Sequence, residues 1–439
     1  MSSGLRPFTV VWSDRFLPAA TVIVFIALFQ NLAAQTTGTF IDRQLPSDLR
    51  VISYNVFSDT IFPDRDAIQA AKFSRMMTAL DPDIVNLQEI YAHTSADVVA
   101  LMNAIRPLGD NASWHAHQAF DNVIASKFPL SLERTNTHPA SPRSIAIALV
   151  DLPDGQFGTD FYLMNNHFRC CGDVLGGPED AERQRQADAL VNWMRDARNS
   201  GGFVNLPAGT PLAVVGDFNI VGSLEPLNTL ITGNIINEAT YGGDSPPDWD
   251  NSPLADARPL HNGVGPADYT WRNDASIYDA GRLDFILYTD SVVSVAHKFI
   301  LNTLTMSRAE RTATGLQAYD VTLDNSGITY DHLPLVVDFR FALPLPGDYN
   351  RDKFVNSSDY ELWRTSFGTT NSAADGNQNG VIDAADYVVW RKALAATPLS
   401  TQNTVSVPEP ALKLLCLTLG CTLASLRTPS VFHRRLAVS

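Results

Sequence analysis

The central part of the chain alternates short apolar runs with amphipathic helical patterns. Seven runs of apolar and β-branched residues within residues 47–342 have the length and composition of β-strands: 49–57, 83–90, 143–152, 161–168, 212–220, 282–290 and 333–341. Helical patterns lie between them at residues 66–80 and 181–198. Some runs alternate apolar and polar residues, whereas others are continuously apolar. This mixture predicts an α/β fold in which sheets pack on each other and helices cover their outer faces.

The two longest apolar runs lie at the ends of the chain. The first, residues 16–29, follows a segment with Arg6 and Arg15 and leads into Ala33 and Ala34. A positive flank, a short apolar core and small residues at its exit predict an export signal peptide over residues 1–34. The alternative is an uncleaved N-terminal membrane anchor, for which this run is short, since a span needs about 20 residues.

The second long apolar run, residues 411–426, lies between a Pro-Glu-Pro triplet at 408–410 and the basic residues Arg427, Arg434 and Arg435. Residues 407–439 therefore resemble a bacterial PEP-CTERM sorting tail. The alternative is a plain C-terminal membrane anchor. The polar residues 397–406 are typical of a linker. Both ends of the chain predict that the body of the protein is exported and lies outside the cell or in its envelope.

A sequence repeat lies between the apolar runs and this linker. Residues 348–364 and 375–391 share the pattern D-x-N-x-[DN]-x-x-[VI]-[ND]-x-x-D-Y-x-x-W-R. Oxygen-bearing side chains occupy loop positions 1, 3, 5, 9 and 12 in both copies, which is the spacing of an EF-hand-type calcium loop. The predicted calcium ligands are Asp348, Asn350, Asp352, Asn356 and Asp359 in the first copy and Asp375, Asn377, Asn379, Asp383 and Asp386 in the second.

Residues 346–396 resemble a dockerin type I module, because position 12 of each loop is Asp instead of the usual Glu. The resemblance implies a small all-α domain that binds two calcium ions and a cohesin-like partner. Position 6 of the loop requires a sharp turn that favours glycine, and it is Gly380 in the second copy but Lys353 in the first. We therefore expect the first loop to bind calcium more weakly than the second.

Polar residues with catalytic chemistry recur at the ends of the predicted strands. They are Asn55, Glu89, His167, Asp217, Asn219, Asp284, Asp331 and His332. A single carboxylate at a strand end is more often a turn or capping residue. Two histidines, several carboxylates and two amides beside buried strands instead indicate a site for metal-assisted acid–base chemistry.

The motifs N-V, LQE, NNHF, GDFN, RLDFIL and DHLPL, in this order over residues 48–341, resemble the endonuclease/exonuclease/phosphatase superfamily. The resemblance implies a four-layered α/β sandwich that cleaves phosphate esters with Mg²⁺ or Mn²⁺. It implies Glu89 as the main metal ligand, with Asn55 beside it and Asp331 in support.

The same resemblance implies that Asp217 and Asn219 orient the water and the phosphate and that Asp284 polarises His332. His167 is typical of the branch that contains pancreatic-type deoxyribonucleases, sphingomyelinases and inositol-phosphate phosphatases. Whether His332 or Asp217 accepts the proton of water stays open. Arg143 matches a position where family members contact phosphate with arginine. An ordinary surface arginine is the alternative.

Composition narrows the substrate. The chain of 439 residues is long enough for two to three domains, and four cysteines exclude a disulfide scaffold. Residues 36–345 carry 21 Lys and Arg against 38 Asp and Glu, a net charge of −17. Such a charge repels a polyanion, although Arg169, Arg183 and Arg185 could form a local basic patch.

The leading hypothesis is therefore an exported, metal-dependent phosphoesterase that hydrolyses a phospholipid head group or a small phosphodiester. A nuclease of the same fold is the first alternative. A catalytically inactive scaffold or adhesion protein is the second. The adjacent Cys170 and Cys171 could bridge to each other, stay reduced or bind a soft metal.

Overall fold

The structure of the protein is a computed structural model. It describes residues 38–109, 111–137, 144–273, 278–321, 331–342, 345–350, 354–370, 374–377 and 379–396. The predicted signal peptide, linker and sorting tail lie outside the described residues, as do Arg143, Asp352 and Lys353. None of the helices within the described residues has the length and hydropathy that a membrane span requires.

Two six-stranded sheets form the centre of the fold. The strands are β1 (Leu49–Asn55), β2 (Ile84–Gln88), β3 (His115–Ala119), β4 (Asn122–Ser126), β5 (Leu130–Thr137), β6 (Ser144–Val150), β7 (Phe161–His167), β8 (Leu212–Asp217), β9 (Ala255–Asp256), β10 (Asp284–Tyr288), β11 (Val293–Ile300) and β12 (Leu335–Phe341). The first sheet has the order β11-β12-β1-β2-β4-β3 and the second β5-β6-β7-β8-β10-β9. Both sheets are mixed, since β1–β2 and β7–β8 are parallel pairs among antiparallel ones.

The helices lie outside the two sheets or beyond them in the chain. They are α1 (Ala67–Leu80), α2 (Ser95–Ile105), α3 (Pro178–Arg198), α4 (Glu225–Thr232), α5 (Glu238–Tyr241), α6 (Arg308–Thr314), α7 (Ser357–Ser366) and α8 (Ala384–Ala396). Helix α1 begins where the Asp66 carboxylate accepts hydrogen bonds from the Ile68 and Gln69 amides. Its apolar face, which includes Phe73 and Met77, belongs to the same core as the first sheet.

Side-chain alternation shows how the layers stack. In β6, Ala146, Ala148 and Val150 belong to the core that also contains β1, β2 and β12, whereas Ile145 and Ile147 pack in the core that contains α3. Successive residues of a strand point to opposite faces, so the second sheet is buried on both sides. The prediction of two packed sheets flanked by helices is confirmed.

The pairing register brings the polar ends of the strands together at one end of the two sheets. Asn55 at the end of β1 lies opposite Gln88 in β2, and His167 at the end of β7 lies opposite Asp217 in β8. Asp284 begins β10 as the partner of Asp217. The neighbouring ends of parallel and antiparallel strands therefore present their side chains at the same level.

The described part of residues 346–396 contains helices α7 and α8, which pack around Tyr349, Ile382 and Trp390. The two copies of the repeat support each other. The Trp363 indole donates a hydrogen bond to the Asp383 carbonyl, and the Trp390 indole donates one to the Asn356 carbonyl, both at 2.9 Å. The tryptophan of each copy thus holds the loop of the other, which explains why the Tyr-x-x-Trp pattern occurs twice.

The pH dependence of folding is expected to include Asp160. Burial raises the pKa of Asp160 to about 6, and the nearby Asp151 adds to this effect, although the Leu152 amide donates to the carboxylate. The pKa of an unfolded aspartate is about 3.9, so this group favours folding most below about pH 4. Its contribution falls as the pH rises to about 6.

We predict that Asp160→Asn raises the free energy of unfolding by about 1 kcal/mol at neutral pH, after allowance for partial exposure. The amide oxygen still accepts the Leu152 hydrogen bond but carries no buried charge. Thermal unfolding of both proteins at pH 4 and at neutral pH measures this, with the gain expected only at neutral pH. An equal difference at both values would show that ionisation of Asp160 is not the cause.

Candidate active site

Asp217 lies at the centre of a group of buried polar side chains. Its Oδ2 atom is 3.6 Å from His167 Nε2 and 3.7 Å from His332 Nε2. The opposite nitrogen of each ring contacts another buried carboxylate: His332 Nδ1 lies 2.7 Å from Asp284 Oδ2, and His167 Nδ1 lies 2.6 Å from Asp121 Oδ2. Two histidine–aspartate pairs therefore face one carboxylate, and each pair fixes the orientation of its ring.

The charges of this group shift its protonation equilibria. Burial raises the pKa of Asp217 to about 6, and Asp284 adds to this, while His332 and His167 oppose it. Burial alone would lower the pKa of His332. The charges of Asp284 and Asp217 outweigh that effect and raise the pKa of His332 well above its ordinary value. At neutral pH the arrangement thus favours an ionised Asp217 beside a protonated His332.

Two amides and a glutamate extend the group towards the first sheet. The Asn55 amide donates to Glu89 Oε1 at 3.1 Å and to Asp217 Oδ2 at 3.2 Å, so it joins the two carboxylates across the sheets. The Asn219 amide donates to Asp217 Oδ2 at 3.0 Å. Glu89 is half-buried, and its Oε2 accepts a hydrogen bond from the Ser58 amide at 2.9 Å.

Strained backbone supports these positions. Glu89 and Asn219 have φ values of +67° and +48°, and the loop after β1 has three consecutive left-handed residues, 57–59. Such conformations cost of order 1–3 kcal/mol for each residue and are concentrated at functional sites. Gly216, just before Asp217, has φ +128°, and a Cβ atom there would lie 1.9 Å from the Asn166 carbonyl oxygen. Only glycine permits this close approach of β8 to β7.

The structure brings together seven of the predicted residues: Asn55, Glu89, His167, Asp217, Asn219, Asp284 and His332. Asp331, the residue before His332, is half-buried, and its carboxylate accepts a hydrogen bond from the Trp271 indole at 3.1 Å. Among the described residues, no hydrogen bond or ion pair joins Asp331 to Glu89 or Asn55. Arg143 lies outside the described residues.

Sequence reasoning missed Asp121. This residue lies in the turn between β3 and β4, and its carboxylate is completely buried against His167. The turn is too short to show periodicity, and one acidic residue in a hairpin turn is ordinary. The only available signal was that a buried catalytic histidine needs a partner for its second ring nitrogen.

The donor atoms fit a divalent cation. Asp217, Asp284 and His332 offer three ligand atoms that lie within 4.8 Å of one another. Asp284 Oδ1 is buried and has no hydrogen-bond partner among the described residues. The carboxylate of Glu89 and the Asn55 side chain lie beside this group. An excess of buried carboxylate oxygens over cationic groups is the composition that divalent metal sites require.

Comparison with known proteins shows what the chain is similar to. The sequence model of the Endonuclease/Exonuclease/phosphatase family matches residues 52–303. No curated protein matches the chain. Similar solved structures include truncated Caenorhabditis elegans TDP2, which is 16% identical over 67% of this chain and 98% of that one, with a TM-score of 0.43.

Two further structures are similar to the same extent. The human Nocturnin catalytic domain is 16% identical over 68% of this chain and 96% of that one, with a TM-score of 0.42. An endonuclease/exonuclease/phosphatase from Bacteroides vulgatus is 16% identical over 67% and 99%, with a TM-score of 0.42. Scores this low carry no argument about substrate, so the assignment rests on the match over residues 52–303. The chain belongs to the Endonuclease/Exonuclease/phosphatase family of metal-dependent phosphoester hydrolases.

Proposed function

We propose that the protein is an exported, Mg²⁺-dependent phosphodiesterase that attaches to its surroundings through a calcium-binding dockerin-like module. The observation that carries the catalytic part is the position of Asp217 between His167 and His332, each backed by a buried aspartate. Phosphodiester hydrolysis requires a proton acceptor for water, a donor for the leaving oxygen and hydrogen bonds to the phosphate. This group contains side chains for all three tasks.

Glu89 and Asn55 are the residues that would hold the metal, and support from Asp331 is part of the same proposal, although its described hydrogen bond is to Trp271. Asp217, Asp284 and His332 also have ligand atoms close together, but a protonated His332 does not bind a cation, so we assign this group to proton transfer. Their oxygen atoms favour Mg²⁺ or Mn²⁺ over softer ions. A bound divalent cation supplies charge neutralisation at the phosphate. The Ser58 amide fixes one oxygen of Glu89 and the Asn55 amide contacts the other, so the carboxylate is oriented before any ligand binds.

The charge state of the group favours Asp217 as the proton acceptor. At neutral pH its carboxylate is ionised, whereas the raised pKa of His332 keeps that imidazole protonated. A protonated His332 donates a hydrogen bond or a proton, and Asp284 stabilises its charge at 2.7 Å. His332 as the acceptor, which the sequence left open, requires that His332 first loses this proton.

His167 is the proposed contact to the phosphate, and Asn219 is proposed to orient Asp217. Asp121 holds His167 Nδ1, so Nε2 faces the centre of the group beside Asp217. The Asn219 side-chain amide donates a hydrogen bond to Oδ2 of Asp217. An N–H at His167 Nε2 would donate to a phosphate oxygen in a buried setting, where hydrogen bonds to a developing negative charge are strongest. The Asn219 amide already donates to Asp217 Oδ2 and to the Phe168 carbonyl, so its role is to orient Asp217.

The substrate is a small phosphodiester or a phospholipid head group, with a nuclease activity as the alternative. The net charge of −17 over residues 36–345 opposes the binding of a long polyanion.

The rings of Tyr91 and Phe120 form an edge-to-face pair with centroids 6.1 Å apart, and 46% and 52% of these residues are exposed. They are close in the chain to two residues of the site, because Tyr91 follows Glu89 by two residues and Phe120 precedes Asp121.

The backbone conformation of Phe120 is unfavourable for its residue type. It lies in a two-residue hairpin turn with φ +55°, where glycine or asparagine is preferred. An exposed aromatic ring in a strained backbone conformation opposes folding on both counts. We infer that the two rings contact the organic group to which the phosphate is attached.

Calcium binding is the proposed role of the repeat. Its position-12 aspartates, Asp359 and Asp386, are fully buried and accept hydrogen bonds from loop amides, such as Tyr349 N at 2.8 Å and Asn377 N at 3.0 Å. Gly380 has φ +82°, the left-handed conformation that a calcium loop requires at position 6. A cohesin-like protein is the proposed partner of this module.

The catalytic prediction concerns the two histidine–aspartate pairs. Asp217→Asn, His332→Ala, Asp284→Asn and Asp121→Asn should each lower kcat on bis-p-nitrophenyl phosphate by roughly 10²–10⁴-fold, because each removes a proton-transfer group or its support. Glu89→Gln should in addition raise the Mg²⁺ concentration needed for half-maximal rate. His115→Ala is the matched control, since His115 is an exposed histidine on β3.

Turnover that requires Mg²⁺ in the parent protein supports the enzyme. No turnover with any divalent metal would support the inactive scaffold instead. Wild-type rates in His332→Ala or Asp121→Asn would contradict the assignment of these pairs. Parallel assays with plasmid DNA and sphingomyelin distinguish the nuclease from the head-group hydrolase.

The aromatic prediction separates binding from stability. Phe120→Asn should raise the thermal stability, because it relieves strain of about 1 kcal/mol, and should raise KM on the preferred substrate. Leu132 is the control, since it is also an apolar residue with positive φ, at +47°, and partly exposed. Leu132→Asn should gain stability without a change in KM. An unchanged KM in Phe120→Asn would remove the aromatic pair from the substrate site.

The calcium prediction concerns residues 346–396. The small core around Tyr349, Ile382 and Trp390 is marginal alone, so ion binding should supply much of the folding free energy. Circular dichroism of this segment should show helix with millimolar calcium and much less with chelator. Calorimetry should find two calcium sites, with higher affinity in the loop that contains Gly380. Lys353→Gly should reduce the difference in calcium affinity between the two loops. Equal helicity in both conditions, together with no heat of calcium binding, would show that the repeat serves packing and does not bind calcium.

The export prediction concerns the N-terminus. N-terminal sequencing of the protein from its native source should find that about the first 34 residues are missing. An intact Met1 or Ser2 would exclude a cleaved signal peptide.

A further inference from the structure

The loop that connects β7 to α3 carries two adjacent cysteines, three and four residues after the catalytic His167. This cysteine loop, residues 168–177, begins directly after His167. The Phe168 amide donates to the Asp217 carbonyl at 2.9 Å, and the Phe168 carbonyl accepts from the Asn219 side chain at 3.3 Å. The first residue of the loop therefore contacts two residues of the proposed active site.

A buried arginine holds the backbone of the cysteine loop. The guanidinium of Arg183 is completely buried and donates to the carbonyls of Arg169, Cys171 and Gly172 at 2.9–3.1 Å. It also donates to the Val221 carbonyl at 2.7 Å. This geometry excludes Arg183 from the basic patch that the sequence suggested, because its donors are directed at the loop. The loop is thus fixed by the helix that follows it.

The fixed backbone brings the two sulfur atoms together. Cys170 Sγ and Cys171 Sγ are 3.0 Å apart, roughly 1 Å more than the covalent S–S length of about 2.05 Å. Neighbouring side chains of an extended chain point in opposite directions, so this approach requires a bend. Cys171 has φ +67° and Gly172 has φ +66°, which supply that bend. Cys171 is exposed and Cys170 is half-buried, so a redox partner can reach the pair.

We propose that Cys170 and Cys171 form a reversible vicinal disulfide that adjusts the active site. In the reaction, the Cys171 thiolate attacks a small disulfide such as oxidised glutathione and forms a mixed disulfide, releasing one thiol. The Cys170 thiolate then attacks Cys171 Sγ and releases the second thiol. Two protein thiols lose two protons and two electrons, and the small disulfide gains them.

The geometry also indicates that this bond is easily reduced. Consecutive Cα atoms are about 3.8 Å apart, less than the 4.4–6.8 Å span of ordinary disulfides, so the closed ring is strained. Strained and exposed disulfides are the labile ones that respond to the redox state of their surroundings. The proposed export of the protein would place the pair where such bonds form. Closure would stiffen the loop that contacts Asn219, and we expect it to raise turnover several-fold.

Mass spectrometry of the full-length protein tests the bond without any substrate. The protein is equilibrated in glutathione buffers from fully reduced to fully oxidised, with chelator present, and then quenched, alkylated with iodoacetamide and digested with trypsin. One expected peptide, residues 170–183, contains both cysteines and no others. In oxidising buffer it should carry no alkyl groups. Its mass should be that of the unalkylated reduced peptide minus two hydrogens. In reducing buffer it should carry two alkyl groups.

Matched variants complete the test. Cys416→Ser/Cys421→Ser retains the pair and should behave as the parent protein, whereas Cys171→Ser should show only a glutathione adduct or an alkyl group on Cys170. Two alkyl groups on the peptide in every buffer, a glutathione adduct without ring closure, or a link to Cys416 or Cys421 would each overturn the disulfide.

Turnover of bis-p-nitrophenyl phosphate in the same buffers tests the coupling to the site. The parent protein should gain activity with the closed fraction, and Cys170→Ser/Cys171→Ser should show no redox response. If the ring closes and the rates stay equal, the regulatory part of the proposal is wrong. If no buffer gives turnover, the proposed catalytic function fails, while the mass result still decides the disulfide.

Discussion

The burial of Asp217 between two histidines is the interaction on which the rest of the site depends. A buried carboxylate is costly unless charged or hydrogen-bonding groups surround it. Asp217 is surrounded by His167, His332 and two amides. Each histidine brings its own buried aspartate, so three carboxylates face two imidazoles. Even with both histidines protonated, the group keeps a negative charge. This excess of negative charge fits a divalent cation at or beside the group.

The two-sheet architecture supplies the geometry that this group requires. Asn55, Glu89 and Asp121 come from the first sheet and its turns, whereas His167, Asp217 and Asp284 come from the second. The sheets must therefore keep a fixed spacing at this edge. Buried amides help to set it: Gln88 donates to the Asn165 side chain at 2.6 Å, and Asn165 donates to the Leu87 carbonyl at 2.9 Å.

The loops around the site contain conformations that do not favour folding. Left-handed backbone occurs at Glu89 and Asn219, at Phe120 directly before Asp121, and at Cys171, four residues after His167. At three of these positions glycine or asparagine would be more stable than the Glu, Phe or Cys present, whereas residue 219 is already asparagine. Their concentration here indicates that the packed sheets stabilise the fold sufficiently to hold a preorganised site. Two of these residues belong to further proposals: Phe120 to the substrate contact and Cys171 to the disulfide.

The sequence by itself determined seven of the twelve strands that the structure describes, the polar residues at their ends and most of the site, but not β3, β4, β5, β9 and β11. Runs such as 212–220 carry their catalytic residues at their ends, and strand periodicity is a local property. Only the tertiary structure paired His167 with Asp121, because that contact joins a strand of one sheet to a turn of the other, 46 residues apart. It likewise decided that Arg183 holds a loop instead of contacting phosphate, and that Phe120 has a strained conformation. Such contacts arise from the packing of distant segments, which no local pattern of residues encodes.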